Sequence, residues 1–182
     1  MSDSLMATYT RLPVTFERGK GAQLWDTQGK QYLDAIAGIA VCGLGHPHPH
    51  VSRAICDQAE TLIHTSNIYT IKRQQELGDK LCALSGMEKV FFGNSGAEAN
   101  EAAIKLARLY GHRREIQNPT IIVMEKAFHG RTMATLTATG NRKAQAGFEP
   151  LLSGFVRAAW NDLEAVTKIA SNNRDVVAVL LE

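Results

Sequence analysis

The chain has 182 residues, with 45% hydrophobic and 21% charged content, enough apolar material for an ordinary globular core and too much for wholesale disorder. Its 20 basic and 18 acidic residues are spread along the chain and leave a net charge of +2, so no basic block marks it as a binder of nucleic acid or of an anionic membrane. The segment Met1 to Thr10 is polar and lacks the apolar stretch of a secretory leader, and no run approaches the roughly eighteen apolar residues of a membrane span. Cys42, Cys56 and Cys82 are odd in number and widely spaced, against a disulfide framework or a zinc ribbon, and a reducing cytoplasm fits them best.

In chain order, Phe16 to Ala37 reads as short strands and turns. Gly19 and Gly21 punctuate it, and Asp26-Thr27-Gln28-Gly29 supplies turn chemistry before Tyr32 and Leu33, so a small antiparallel appendage is expected. Gly45-His46-Pro47-His48-Pro49-His50 invites a metal reading. Prolines hold the stretch extended and no carboxylate or thiol cluster accompanies it, so a turn into the next helix is preferred and no metal site is assigned. Val51, Ala54, Ile55, Ala59, Leu62 and Ile63 recur at helical spacing, and Leu77, Leu81 and Leu84 mark a second helix over Gln74 to Leu84.

After Gly86 short apolar runs alternate with helical stretches. Strands are expected at Lys89 to Phe92, Thr120 to Met124 and Val176 to Leu181, and helices at Ala97 to Tyr110 and around Leu163 to Ala170. That alternation implies an α/β fold with a mainly parallel sheet and flanking helices. A Val- and Leu-rich strand needs helices over both faces, so the run ending at Glu182 reads as part of a domain that continues.

Two segments carry chemistry. Asn94-Ser95-Gly96-Ala97 joins a strand to an Ala-rich helix, and the unpaired N–H groups of such a helix start suit a phosphate. The plainer alternative is that Ser95 only caps the helix. Ala127-Phe128-His129-Gly130-Arg131-Thr132 follows the Thr120 to Met124 strand, and ligands of open α/β sheets bind beyond the carboxyl ends of strands. Phe128 could stack on a flat heterocycle and Arg131 could clamp a carboxylate, or the one could be core and the other a surface charge.

Taken with Leu24-Trp25-Asp26, Tyr32 to Val41, Gly45-His46 and His64-Thr65-Ser66-Asn67, these segments resemble the class III, fold-type I pyridoxal-phosphate aminotransferases, and within them the acetylornithine and succinylornithine group. The resemblance covers nearly the whole chain. It implies residues 1–50 as an N-terminal small-domain segment with short strands and 51–182 as an incomplete large domain that binds pyridoxal 5'-phosphate. It further implies that Ser95, Gly96 and Ala97 cradle the cofactor phosphate, that Phe128 stacks on the pyridine ring with His129 beside it, and that Arg131 binds a substrate carboxylate. Glu182 matches the first residue of the family's Glu-Pro-x-x-Gly-Glu segment near the cofactor. The family's Schiff-base lysine and its ring-nitrogen aspartate match nothing in the chain and would lie beyond Glu182, so no catalytic residue is assigned and the chain alone is expected to be inactive.

The implied reaction is transfer of the ω-amino group of N-acetylornithine to 2-oxoglutarate, giving glutamate, in arginine biosynthesis. Succinylornithine, succinyldiaminopimelate, ornithine and 4-aminobutyrate are alternative substrates, and a non-catalytic phosphate-binding relic is an alternative of another class. Cys42-Gly43 departs from the commoner Asn-Ala, and Pro47 from a frequent Cys, so the cofactor is better specified than the substrate. The resemblance also implies a homodimer in which Asn67 to Thr70 approach the neighbour's cofactor.

Overall fold

A computed structural model describes residues 4–182, and the first three residues of the polar Met1 to Thr10 segment lie outside it. The chain divides after Lys72 into two compact units.

In the first unit, β1 (Phe16–Lys20), β2 (Gln23–Asp26) and β3 (Gln31–Leu33) form an antiparallel meander in the order β1-β2-β3. The expected appendage is therefore present. Asp26 organises its second turn: Oδ1 accepts the N–H groups of Gln28 and Lys30, both at 2.9 Å, and Oδ2 accepts the Tyr32 hydroxyl at 3.0 Å. Burial pushes the Asp26 carboxyl up, but the Lys30, Tyr32 and Gln28 hydrogen bonds together outweigh it and hold the group below the ordinary carboxylate value.

His46 closes on this meander. Its N–H donates to Gly21 O at 2.9 Å and its Nε2 lies 2.7 Å from the Asp34 carboxylate, so the imidazole has a structural partner. A Cβ on Gly19 would stand 2.6 Å from that of His46, which is why the crossing needs glycine. Between these anchors α1 (Ala37–Ala40) is a left-handed turn, with φ near +60° at Ala37, Gly38, Ile39 and Ala40. Helix α2 (Pro49–Thr61) has proline at its first turn, where the missing N–H costs nothing, and lies two residues earlier than the expected Val51 to Ile63, ending where Leu62 turns extended.

Helix α3 (Lys72–Ser85) leads into the second unit. There α4 (Gly96–His112), β4 (Thr120–Met124), α5 (Met133–Ala138), α6 (Arg142–Gln145), β5 (Phe155–Ala158), α7 (Leu163–Asn172) and β6 (Val176–Leu180) build a three-stranded parallel sheet in the order β5-β4-β6. Strand β4 is central and its side chains alternate between faces. Ile121 and Val123 pack with Ile104 of α4 and Ala134 and Ala138 of α5, while Ile122 and Met124 pack with Ala127 and Ala158 on the face that Ala165, Val166 and Ile169 of α7 cover. Both faces are buried, as a parallel strand of continuous apolar residues requires. Helix α4 reaches the sheet closely at Gly111, where a Cβ would stand 2.8 Å from Pro119 and 2.9 Å from Val177.

The sequence reading errs at Lys89 to Phe92. No strand forms there, because no described strand offers it backbone partners, and Val90 and Phe92 pack instead beside Gly78 of α3. Strand β5 and helices α5 and α6 escaped the periodicity. A run of four residues carrying Arg157, and helices of six and four residues, give too few repeats to register.

Candidate functional site

The start of α4 is a reciprocal cap. Ser95 Oγ accepts the Glu98 N–H at 3.2 Å, and the Glu98 carboxylate in return takes the Asn94 N–H. Ser95 thus caps the helix as the plainer alternative held, yet the cap leaves other donors over. The N–H groups of Gly96 and Ala97 fall in the first turn and have no acceptor within the helix, and no side chain or backbone from outside this turn lies within 4 Å of where a Gly96 Cβ would be. Open space therefore faces donors on which the dipole of a 17-residue helix converges.

The second segment leaves β4 through Glu125 and Lys126, the latter at φ +66°. Its backbone is tied down at successive residues. The Gly140 N–H donates to Ala127 O at 2.7 Å, Phe128 N–H to Glu182 Oε2 at 2.8 Å, and His129 N–H to Thr139 Oγ1 at 2.9 Å. Thr132 then opens α5 with a capping box to Thr135. Gly130, at φ +135°, lies where a Cβ would stand 3.0 Å from that of Ala97, so this loop and the α4 turn are in contact.

Side chains from the loop take up distinct environments. Phe128 is 52% exposed and outside both buried clusters, and the Arg131 guanidinium sits 5.7 Å from its ring centroid without an ion pair among the described residues. A half-exposed ring and a guanidinium without an ion pair are thus side by side, within cation–π range of each other. His129 is 3% exposed and its Nε2 has no hydrogen-bond partner. Burial lowers its pKa, Glu182 opposes the shift and Arg157 adds to it, so the ring is held neutral at pH 7. At the carboxyl ends of the strands a crevice is lined by Glu125, Lys126, Ala127, Ala159, Trp160 and Glu182.

The structure therefore assembles Ser95, Gly96, Ala97, Phe128, His129, Arg131 and Glu182 along one edge of the second unit. It adds residues the sequence reading passed over. Asn100 and Glu101 of α4 reach the loop, and Gln145 and Arg157 bind the carbonyls that end α5. One signal was available for Asn100, since asparagine is a poor choice inside an Ala-rich helix unless its amide has a partner. The histidine-rich segment brings no ligand group together: among the described residues no set of three or more His, Cys, Asp or Glu is placed to hold a metal ion, and all three cysteines are free. No described helix is long and apolar enough to cross a membrane.

The chain is an α/β protein with unpaired helix donors, a half-exposed ring and a guanidinium without an ion pair near the strand ends of a parallel sheet, where proteins of this class bind ligands. Comparison with known proteins narrows the class: the model of the family described as "Aminotransferase class-III" matches residues 5–182, and the chain belongs to that family. It is 69% identical to the acetylornithine aminotransferase of Nitrosomonas europaea, over 98% of this chain and 45% of that protein. It is also 53% identical to acetylornithine aminotransferase 1 of Bordetella pertussis, over 100% and 46%. The chain thus spans less than half the length of these relatives.

Among solved structures, the ornithine aminotransferase of Toxoplasma gondii superposes with a TM-score of 0.93 at 29% identity, over 98% of this chain and 42% of that one. The N-acetylornithine aminotransferase of Stenotrophomonas maltophilia gives 0.75 at 37% identity, over 95% and 42%. The expected fold, part of a fold-type I large domain with preceding strands and helices, is the one these neighbours share.

Proposed function

We propose that this chain supplies the cofactor-phosphate and ring subsites of a pyridoxal-phosphate-dependent acetylornithine aminotransferase. The observation that carries the reading is the joining of two donor-rich segments at one sheet edge in a chain 69% identical to an enzyme of that name. Pyridoxal phosphate, when bound, supplies the electron sink for amino transfer. The residues present fit it. Gly96 and Ala97 N–H groups, with Ser95 shaping the turn, take the phosphate, and the Phe128 face takes the ring. Arg131 takes a substrate carboxylate. His129 stays neutral behind the loop, and Glu182 holds the Phe128 backbone and lines the crevice beside it. The cofactor-bonded lysine and the aspartate for the ring nitrogen belong to the family pattern beyond Glu182.

The substrates in this reading are N-acetylornithine and 2-oxoglutarate, the protein is a homodimer, and its compartment is the cytoplasm, which three free cysteines favour. The higher TM-score of the ornithine enzyme does not argue for ornithine. Backbone superposition reports the scaffold, whereas substrate choice rests on side chains, and there the sequence likeness favours acetylornithine. The deciding experiment expresses the protein from its own reading frame and measures glutamate formed from 2-oxoglutarate. N-acetylornithine competes in it with succinylornithine, succinyldiaminopimelate, ornithine and 4-aminobutyrate. A larger kcat/KM for N-acetylornithine supports the reading; a larger value for any competitor reassigns the substrate, and no transfer from any of them leaves the phosphate-binding relic.

A further inference from the structure

Three contacts join helix α4 to the loop between β4 and α5, and they leave the helix from one stripe. Ala97 meets Gly130, Asn100 Nδ2 donates to His129 O at 2.8 Å, and Glu101 accepts the Thr132 hydroxyl. Positions 97, 100 and 101 are spaced i, i+3 and i+4, so they share a helix face. The first turn of the same helix carries the Gly96 and Ala97 donors, and the loop carries Phe128 and Arg131. The remaining loop anchors come from elsewhere: Glu182 follows β6 and Thr139 ends α5. Helix α4 thus carries the first-turn donors and, through Asn100 and Glu101, holds the loop that presents Phe128.

We propose that Asn100 is a positioning residue whose amide fixes the distance between the phosphate turn and the ring-stacking Phe128, so that a ligand carrying both groups is gripped by both at once. The inference rests on the cofactor reading above. Asn100 lies too far along the helix to donate to the phosphate through its own backbone, since its N–H is already spent on the carbonyl one turn earlier. It acts through the carbonyl of His129, one residue from Phe128. With Glu182 and Thr139 still holding the loop, removing the amide loosens the spacing without dissolving the segment.

The test compares wild-type protein with Asn100→Asp, which keeps the volume but sets a carboxylate against the His129 carbonyl, and with Asn100→Ala, which only removes the donor. Pyridoxamine 5'-phosphate is the probe, because it has no aldehyde to react with surface lysines, and inorganic phosphate is the control. Binding is read from quenching of tryptophan fluorescence, Trp160 lining the adjacent crevice, and from the circular dichroism induced in the bound ring. In both variants affinity for pyridoxamine 5'-phosphate should fall about five- to tenfold, the scale of one hydrogen bond. Phosphate affinity should stay within about twofold and the induced dichroism per bound ring should shrink. Unchanged affinity for the probe, an equal loss for probe and phosphate, or loss of the folded state in both variants would each overturn the proposal. Failure of the wild-type protein to bind the probe would overturn the cofactor reading and this inference with it, and that result is distinguishable because it appears before any substitution is made.

Discussion

The backbone N–H of Phe128 donates to the carboxylate of Glu182 at 2.8 Å across 54 residues of chain, fastening the loop that follows β4 to the end of β6. The same carboxylate favours the charged form of His129 against burial. Replacing Glu182 by Gln keeps an acceptor for Phe128 but removes the charge, so the His129 pKa should drop further below the ordinary histidine value. A pH titration of the His129 ring resonances by NMR checks this, and a pKa that rises or stays still would refute the assignment.

His129 also makes stability depend on pH. Its folded-state pKa is depressed, so its contribution is present above the ordinary value of 6.5 and is lost as pH falls through that value toward the folded one. Asp34 behaves in the same sense lower down: the His46 ring and the Ala37 and Ile36 N–H groups hold its carboxyl below 3.8, against a smaller opposing push from burial, so its contribution disappears as pH drops below that value. Denaturation midpoints between pH 7 and pH 2 should fall less steeply in Asp34→Asn than in wild type below about pH 4.

The end of α5 depends on Gln145, a buried side chain whose amide donates to Leu136 O, Thr137 O and Thr139 O. Arg157 covers Thr137 O and Ala138 O from the other side. Gln145→Leu leaves buried carbonyls without their donor and should cost about 2 kcal/mol in urea denaturation. A loss under about 0.5 kcal/mol would mean that Arg157 alone satisfies the helix end.

Gly140 faces a harder limit. A Cβ there would stand 2.2 Å from the Lys126 nitrogen and 2.8 Å from Met124 O, both of them backbone atoms that cannot swing aside. Gly140→Ala should therefore destabilise by about 2 kcal/mol or more and shift the loop carrying Phe128. Wild-type stability in that variant would show that the β4 exit is more pliable than its geometry implies.

On the proposed reading, Phe128 serves the cofactor and Arg131 the substrate. Phe128→Ala should weaken binding of the pyridoxal phosphate ring about three- to tenfold, the range of an aromatic stacking contact. Arg131→Lys should leave that affinity alone and raise KM for the substrate carboxylate at least about tenfold, because a point charge does not reproduce the two parallel hydrogen bonds. Steady-state kinetics alongside cofactor titration distinguish the two effects.

Much of the architecture was legible in the sequence. The helices over residues 49–61 and 96–112 follow from apolar spacing, and strand Thr120–Met124 from an apolar run too short for a helix. Lys89 to Phe92 has strand composition but lacks a neighbour, and pairing is a tertiary fact that no local pattern contains. The candidate site residues were chosen from strand-end position, motif and family resemblance, whereas Gln145 and Arg157 were invisible, and Asn100 nearly so, because their partners are main-chain carbonyls, which every sequence offers everywhere. A left-handed Ala37–Ala40 turn was likewise beyond reach, since three of its four residues disfavour that conformation.

In the loop after β4, the N–H groups of Phe128, His129 and Thr132 are engaged by the protein itself, so at those positions the loop meets a ligand through side chains. The α4 turn is the reverse, with main-chain donors and scarcely a side chain between them and open space. Evolution can reach these two halves unequally. Substitution rewrites a ring or a guanidinium in one step but, short of proline, leaves a main-chain N–H in place, so the proposed anion site would outlast changes in the side chains that choose the substrate.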